Sequence, residues 1–224
     1  MPRALILDCD GVIIDSEAIA LVVERSLLAE AGLTYPEPEF LNRFVGLHNR
    51  DYHAALLRDA EAAGLKLPED IFERMQTEIW RRFETDLRPI KGIDVVVEAF
   101  AGPVAVASSS AARRLQKKLE MTGLSSLFGT HVYSADLVEN GKPAPDLFLH
   151  AAARLGVEPA DCSVVEDSVN GVTAARKAGM TALGFVGGGH ADPGLSERLM
   201  QAGAHRVLKS HHDLLRDLAR SSTG

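Results

Sequence analysis

The stretch Ala4-Leu5-Ile6-Leu7-Asp8-Cys9-Asp10-Gly11 decides how the rest of this chain is read. A short apolar run bounded by polar residues suits a fully buried strand. Along a strand, residues i and i+2 point to the same side. Asp8 and Asp10 can therefore both reach one site at the strand's carboxyl end. Two clustered carboxylates repel each other unless a cation or a proton offsets their charge. The stretch points to metal binding combined with acid–base chemistry.

Outward from that strand, apolar runs alternate with helical patterns. Strands are expected at Ala4–Leu7, Val104–Ala107, His131–Tyr133, Ser163–Val165, Thr181–Val186 and Arg206–Leu208. Helices are expected at Gly92–Phe100, Ala111–Met121, Pro145–Leu155, Val169–Ala178, Leu195–Ala202 and His211–Arg220. Such alternation predicts an α/β fold, a doubly wound parallel sheet covered on both faces. Ser110 and Ser168 read as N-caps, and Gly123, Gly156 and Gly179 as helix stops. Pro143 and Pro145 mark a turn before a helix. Residues 16–88 break the pattern, with helices at Ser16–Ala31, Glu37–Phe44, Arg50–Ala63 and Pro68–Glu84 and no strong strand. The simplest organisation is a core of residues 1–15 and 89–224 with a helical insert at 16–88. Linkers would lie near Val12–Ser16 and Leu87–Gly92.

In open sheets of this kind, ligands bind beyond the carboxyl ends of the strands, near the switch in strand order. The residues just after each strand form a coherent set there. The first strand delivers Asp8 and Asp10; the second delivers Ser108, Ser109 and Ser110; the Ser163–Val165 strand delivers Glu166, Asp167 and Ser168. Gly141-Lys142-Pro143 puts a lysine on a turn between them. Carboxylates without a His or Cys cluster suit a hard cation such as Mg²⁺. Mg²⁺ takes one or two carboxylates, keeps waters, and completes its shell with phosphate oxygens. Lysine and serine supply a charge and a donor for the same oxygens. Phosphoryl transfer to a carboxylate fits these parts best. Without cation and lysine, two unit charges 4 Å apart repel by ~4 kcal/mol at an effective dielectric of 20.

Composition sets the limits. The chain has 224 residues, 46% of them apolar, enough for a large domain or for a core plus a smaller unit. Its net charge of −7, from 24 basic and 31 acidic side chains, argues against nucleic acid as a partner. A small anionic substrate stays open, because a metal can dominate the local field. Cys9 and Cys162 are far apart, lie in or beside apolar runs and form no CxxC, so they read as buried thiols in a reducing compartment. Ala4–Leu7 is too short for a signal peptide and is followed by acids. No run approaches ~18 apolar residues, so no membrane span is expected. The expected location is the cytoplasm, and the expected state a monomer or homodimer.

Asp8-Cys9-Asp10-Gly11-Val12, Ser108 after a strand, Lys142 in Gly-Lys-Pro-Ala-Pro-Asp, and Glu166-Asp167-Ser168 with Gly171 and Ala178-Gly179-Met180 resemble the four motifs of the haloacid dehalogenase-like hydrolases. They come in the family's order and span nearly the whole chain. The helical insert resembles the family's small cap on its Rossmann-like core. The nearest subgroup in appearance contains β-phosphoglucomutase and small sugar-phosphate phosphatases. The resemblance implies roles. Asp8 would be the nucleophile that becomes aspartyl-phosphate. Asp10 would protonate the leaving alkoxide and then activate water. Mg²⁺ would be held by the Asp8 carboxylate, the Asp10 backbone carbonyl and Asp167, with Glu166 ligating or lying just behind. Ser108 would donate to the phosphoryl group, and Lys142 would neutralise Asp8 and the phosphate. The substrate would be a small phosphorylated metabolite.

Other readings are weaker. An EF-hand loop opening at Asp8 would need Gly where Ile13 stands. Glu166 and Asp167 can cap the following helix, though Ser168 is the better cap. Ser109 is either a substrate contact or a plain loop residue. The run Gly187-Gly188-Gly189-His190 reads as a flexible connector. Within the insert, Gly46-Leu47-His48-Asn49-Arg50 is the most site-like stretch, so Arg50, then Arg43, are expected to meet substrate, with Glu17, just after the first linker, as a further candidate. A phosphosugar mutase is the main alternative, but that subgroup carries His where Ala20 stands and Lys-Asn where Ala111-Ala112 stand. The dehalogenase branch lacks the aspartate at Asp10. Phosphonate hydrolysis would want a lysine in the insert, and Lys66 is poorly placed for it. A non-catalytic phospho-accepting or metabolite-binding module is the reading from a different class.

Overall fold

The computed structural model describes residues 2–44 and 49–220. Ala4–Leu7 forms β1, with all four residues fully buried. The other strands are β2 (Val104–Ser108), β3 (Val132–Ser134), β4 (Cys162–Glu166), β5 (Thr181–Phe185) and β6 (Arg206–Leu208). They form one parallel sheet in the order β3-β2-β1-β4-β5-β6. The chain winds outward from β1 in one direction and then, from β4, in the other. The doubly wound expectation is met, and the reversal between β1 and β4 is where such sheets open a crevice.

The described residues also form ten α-helices, besides two short 3-10 turns: α1 (Ser16–Glu30), α2 (Glu37–Phe44), α3 (Asn49–Ala62), α4 (Ile71–Asp86), α5 (Ile93–Ala99), α6 (Ala112–Met121), α7 (Asp146–Leu155), α8 (Val169–Lys177), α9 (Leu195–Gln201) and α10 (His211–Arg220). Alternation along β1 sends Leu5 and Leu7 to one face and Ala4 and Ile6 to the other. The first pair joins a cluster with Val96 of α5, Leu115 and Leu119 of α6 and Leu214 of α10. The second joins Phe148 of α7, Val172 of α8 and Leu199 of α9. The helices α1–α4 build a third cluster of their own around Leu28, Phe40, Leu56, Ile71 and Met75. Its rings meet edge-on or tilted, Phe40 and Phe44 with centroids 4.9 Å apart, geometry that aromatic pairs favour. Val23 of α1 and Ile79 and Phe83 of α4 instead join the first sheet cluster, so the insert leans on the core.

Several element ends lie one to three residues from where the sequence reading puts them, and three differences bear on the site and its neck. The third strand runs one residue later than expected, Val132–Ser134, pairing Val106 with Val132. Ser110 does not cap α6: that helix starts at Ala112, and the Asp136 carboxylate accepts from the Ala112 N–H at 2.7 Å instead. The expected linkers are laced together. Val12, Ile13 and Ile14 are fully buried; Asp15 N–H donates to Arg88 O at 3.1 Å and Ile90 N–H to Ile13 O at 2.8 Å. Ile14 also bridges to Pro89 in antiparallel fashion.

Candidate active site

The carboxyl ends of β1, β2 and β4 converge, and the turn carrying Lys142 closes over them. Lys142 Nζ donates to Asp8 Oδ1 at 2.5 Å, Glu166 Oε1 at 2.6 Å and Ala107 O at 2.9 Å. Its three donors are thus all used. Lysine, aspartate and glutamate are buried together, which is tolerable only because each charge is paired and hydrogen-bonded. Glu166 Oε2 accepts from Ser168 N–H at 3.0 Å and from its hydroxyl at 2.9 Å. Ser168 also caps α8, accepting from Gly171 N–H at 3.0 Å. A Cβ at Gly171 would lie 1.8 Å from Glu166 Cδ, so this helix start accepts only glycine beside the glutamate. Both Glu166 oxygens are engaged within the protein.

Asp10 sits opposite. Its Oδ1 accepts from the Ser16 hydroxyl and from Lys118 Nζ at 2.5 Å. Its Oδ2 accepts from Lys118 at 2.6 Å and from the Ser110 hydroxyl at 3.1 Å. Burial opposes charge on Asp10, but the Lys118 ammonium and the hydrogen bonds from Lys118, Ser16 and Ser110 together outweigh it and hold the carboxyl below its usual range. Asp8 behaves in the opposite way. Burial pushes its carboxyl well up, and Glu166, Asp167 and Asp10 add to this while Lys142 opposes it. Asp167 is likewise raised, first by burial, with His190 opposing.

These oxygens suit a hard cation. Burial, with Glu166 adding, raises the carboxyls of both Asp8 and Asp167, a cost that a bound cation would offset. Among the described residues no three His, Cys, Asp or Glu side chains form a ready-made metal cage.

The serine that ends β2, Ser108, is 1% exposed, and its hydroxyl accepts from Ser110 N–H at 3.1 Å. Ser109 is exposed on the loop that follows. Glu17, half-buried at the start of α1, has its carboxyl pushed up to about 7, by burial first and then by Asp10. Arg43 is drawn elsewhere: it pairs with Asp59 inside the insert, and its guanidinium lies 5.6 Å from the centre of the Phe44 ring. Asp59 also accepts from Tyr35 at 2.7 Å. Gly46, Leu47 and His48, and the side chains of Asn49 and Arg50, lie outside the described residues.

Sequence reasoning missed three participants. Lys118 follows Leu115 by three positions and precedes Leu119, so it lies on the buried face of α6; a lysine on an apolar stripe was the available signal. Ser16 was read only as a helix start. His190 was assigned to a flexible connector, yet it is 3% exposed and its Nε2 lies 3.0 Å from Asp167 Oδ2. That loop is packed shut, since a Cβ at Gly188 would lie 2.8 Å from Gly11 O and Gly189 N–H donates to Asp15 at 2.9 Å.

With this geometry established, comparison with known proteins is direct. A family model for haloacid dehalogenase-like hydrolases matches residues 2–179. A fructose-1-phosphate phosphatase of Escherichia coli (strain K12) is 34% identical over 182 residues, covering 80% of this chain and 94% of that protein. A conserved haloacid dehalogenase-like protein of unknown function from Agrobacterium tumefaciens superposes with a TM-score of 0.91 at 38% identity, covering 99% of this chain and 100% of the other. A HAD family hydrolase from Deinococcus radiodurans R1, solved with bound phosphate and sodium, gives a TM-score of 0.87 at 35% identity over 98% and 96% of the two chains. The chain belongs to the haloacid dehalogenase-like hydrolases. Within that class it is a phosphatase of phosphorylated metabolites, a phosphoric monoester hydrolase. Among the described residues no helix is long and apolar enough to cross a membrane.

Proposed function

We propose that this phosphatase is Mg²⁺-dependent, hydrolyses small sugar phosphates and related metabolites, and works through phosphorylated Asp8. The observation that carries the proposal is the buried contact of Lys142 with Asp8 and Glu166, at 2.5 and 2.6 Å, beside Asp10 at the crevice of the sheet. Lys142 holds Asp8 Oδ1, and among the described residues no donor engages Oδ2, which leaves that oxygen to attack phosphorus. As the Asp8–phosphorus bond forms, the ester bond to the leaving oxygen breaks, and Asp10 delivers a proton to that oxygen. Water then attacks phosphorus, Asp10 accepts its proton, and the bond to Asp8 breaks to give phosphate and the free carboxylate. General acid–base help of this kind is worth ~10²–10⁴-fold. Ser108 donates to a phosphoryl oxygen, and the charge of Lys142, held beside Asp8, offsets that of the carboxylate and the phosphoryl group.

Mg²⁺, held by the carboxylates of Asp8 and Asp167 and the Asp10 carbonyl, would neutralise charge on those oxygens. Glu166 stands behind this set, orienting Lys142, because Ser168 and Lys142 already occupy its oxygens. The helical insert acts as a cap whose closure excludes water. Glu17 is the insert residue best placed to meet a sugar hydroxyl, with Ser109 and Arg50 as further contacts. Arg43 is committed to Asp59, which weakens its candidacy. The relative that acts on fructose 1-phosphate supports the sugar-phosphate class.

The test is phosphate release from sugar phosphates, nucleotides and p-nitrophenyl phosphate, with Mg²⁺ and with chelator. Mg²⁺-dependent release, strongest on sugar phosphates, is expected. No release from any ester, with β-glucose 1-phosphate interconverted instead, would overturn it in favour of a mutase.

A further inference from the structure

Lys118 is 5% exposed on the apolar face of α6. An ammonium buried there must satisfy three donors, and all three converge on one place: Asp10 Oδ1 at 2.5 Å, Asp10 Oδ2 at 2.6 Å and Ser110 Oγ at 2.9 Å. Asp10 in turn accepts from Lys118 on both oxygens, from Ser16 on one and from Ser110 on the other. A carboxylate offers about four lone-pair sites, so every one is filled. The four contacts are not equivalent. Ser16 and Ser110 act through hydroxyls, which rotate and can release an oxygen to a water or a substrate. Lys118 makes two charge-assisted bonds from a single nitrogen, and such bonds are about twice as strong as neutral ones. They fix both oxygens at once, and with them the plane of the carboxylate.

We propose that Lys118 is the positioning residue for Asp10: it holds the carboxylate plane while the serine hydroxyls give way, so that Asp10 can take the proton of the water that attacks phosphorylated Asp8. The inference rests on the acid–base role given to Asp10 above. In that step water's oxygen bonds to phosphorus, its proton passes to Asp10, and the phosphorus–Asp8 bond breaks to leave phosphate and the Asp8 carboxylate. Lys118 touches neither the phosphoryl group nor the water, and acts only through Asp10.

p-Nitrophenyl phosphate separates the two half-reactions, because its aryl oxide leaves without needing a proton. Rapid-quench single turnovers with Mg²⁺ give the rate of p-nitrophenolate release, which reports phosphorylation, and the rate of phosphate release, which reports hydrolysis of the phosphoenzyme. In K118M the ratio of hydrolysis to phosphorylation is expected to fall by about 100-fold, within the range of acid–base contributions, and phosphoenzyme should accumulate. K118R, whose planar fork can also grip both oxygens, should recover part of that ratio. D10N should show the same fall, and adding K118M to D10N should lower the ratio no further. A merely structural role slows both half-reactions together and leaves the ratio at its wild-type value; that result, or independent effects in the double variant, overturns the inference. If circular dichroism shows K118M to be unfolded, K118Q takes its place. Failure of the wild-type protein to release p-nitrophenolate at all would instead overturn the phosphatase mechanism on which the inference stands.

Discussion

Lys142 faces Asp8 and Glu166 in a pocket closed to solvent, so removing it strands two carboxylates. Breaking a buried ion pair from one side costs about 3–5 kcal/mol. K142M should therefore lose stability by about that amount in urea unfolding, besides losing activity. Gly11 is under two constraints. It adopts φ of +73°, and a Cβ there would lie 1.8 Å from Asp167 Oδ2 and 2.5 Å from His190 Cε1. The left-handed backbone alone costs a non-glycine residue about 1–2 kcal/mol. G11A should unfold at lower urea concentration and should also bind Mg²⁺ more weakly by calorimetry, since Asp167 must move. An unchanged Mg²⁺ affinity would count against Asp167 as a ligand. At this scale the sequence was informative for Asp8, Asp10, Ser108, Glu166 and Asp167, because each lies at or just beyond the end of a strand that fixes its position, and for Lys142, whose prolines mark the turn that carries it. It was uninformative for residues whose position depends on tertiary packing: Lys118 reaches Asp10 across 108 positions of chain, and His190 reaches Asp167 only because its glycine loop folds inward.

Among the elements, α1 carries a pH response. Glu24 lies two turns beyond Glu17 and accepts from the Tyr52 hydroxyl of α3 at 3.0 Å. Its carboxyl is pushed up from 4.5 to about 7, by burial first, with the Tyr52 bond opposing and Glu17 adding. The folded protein therefore binds this proton more tightly than the unfolded chain does. The contribution is fully present below the unfolded value of 4.5 and is lost as pH rises to about 7. In E24Q that loss should vanish, so the variant should gain on the wild type as pH rises through this window and level off above it. Parallel denaturation curves at each pH would contradict the assignment. The helix α6 shows where periodicity succeeds and where it stops. Leu115 and Leu119, four positions apart, form its buried face, and L115A should cost about 2–5 kcal/mol by opening a cavity against the sheet. The start of α6 was misread, because a serine before a helix is ordinarily a cap, whereas Ser110 is held by Asp10 and Lys118 and the distant Asp136 serves the helix end.

At the scale of the whole molecule, the sheet was legible because its strands are buried on both faces and read as continuous apolar runs. Its strand order places β1 beside β4 and so brings the Asp8–Asp10 and Glu166–Asp167 pairs together. The two segments expected to link core and insert are paired through Ile14 and Pro89, a non-local contact that no local pattern announces. The path between core and insert is thus a short two-stranded neck ending at Ser16, whose hydroxyl reaches Asp10. A cation that binds only the folded protein raises stability by mass action, about 2.7 kcal/mol at a hundredfold excess over Kd. The melting temperature should therefore climb with Mg²⁺ concentration in the wild type and stay flat in D167N. The central claim, that phosphate passes through Asp8, is tested most directly by mass spectrometry of protein quenched in acid during turnover of p-nitrophenyl phosphate with Mg²⁺. The account predicts a gain of one phosphoryl group on the peptide containing Asp8, lost again as turnover ends, and no gain and no turnover in a folded D8N protein. A D8N protein that still turns over, or a phosphoryl group found on another residue, would contradict it.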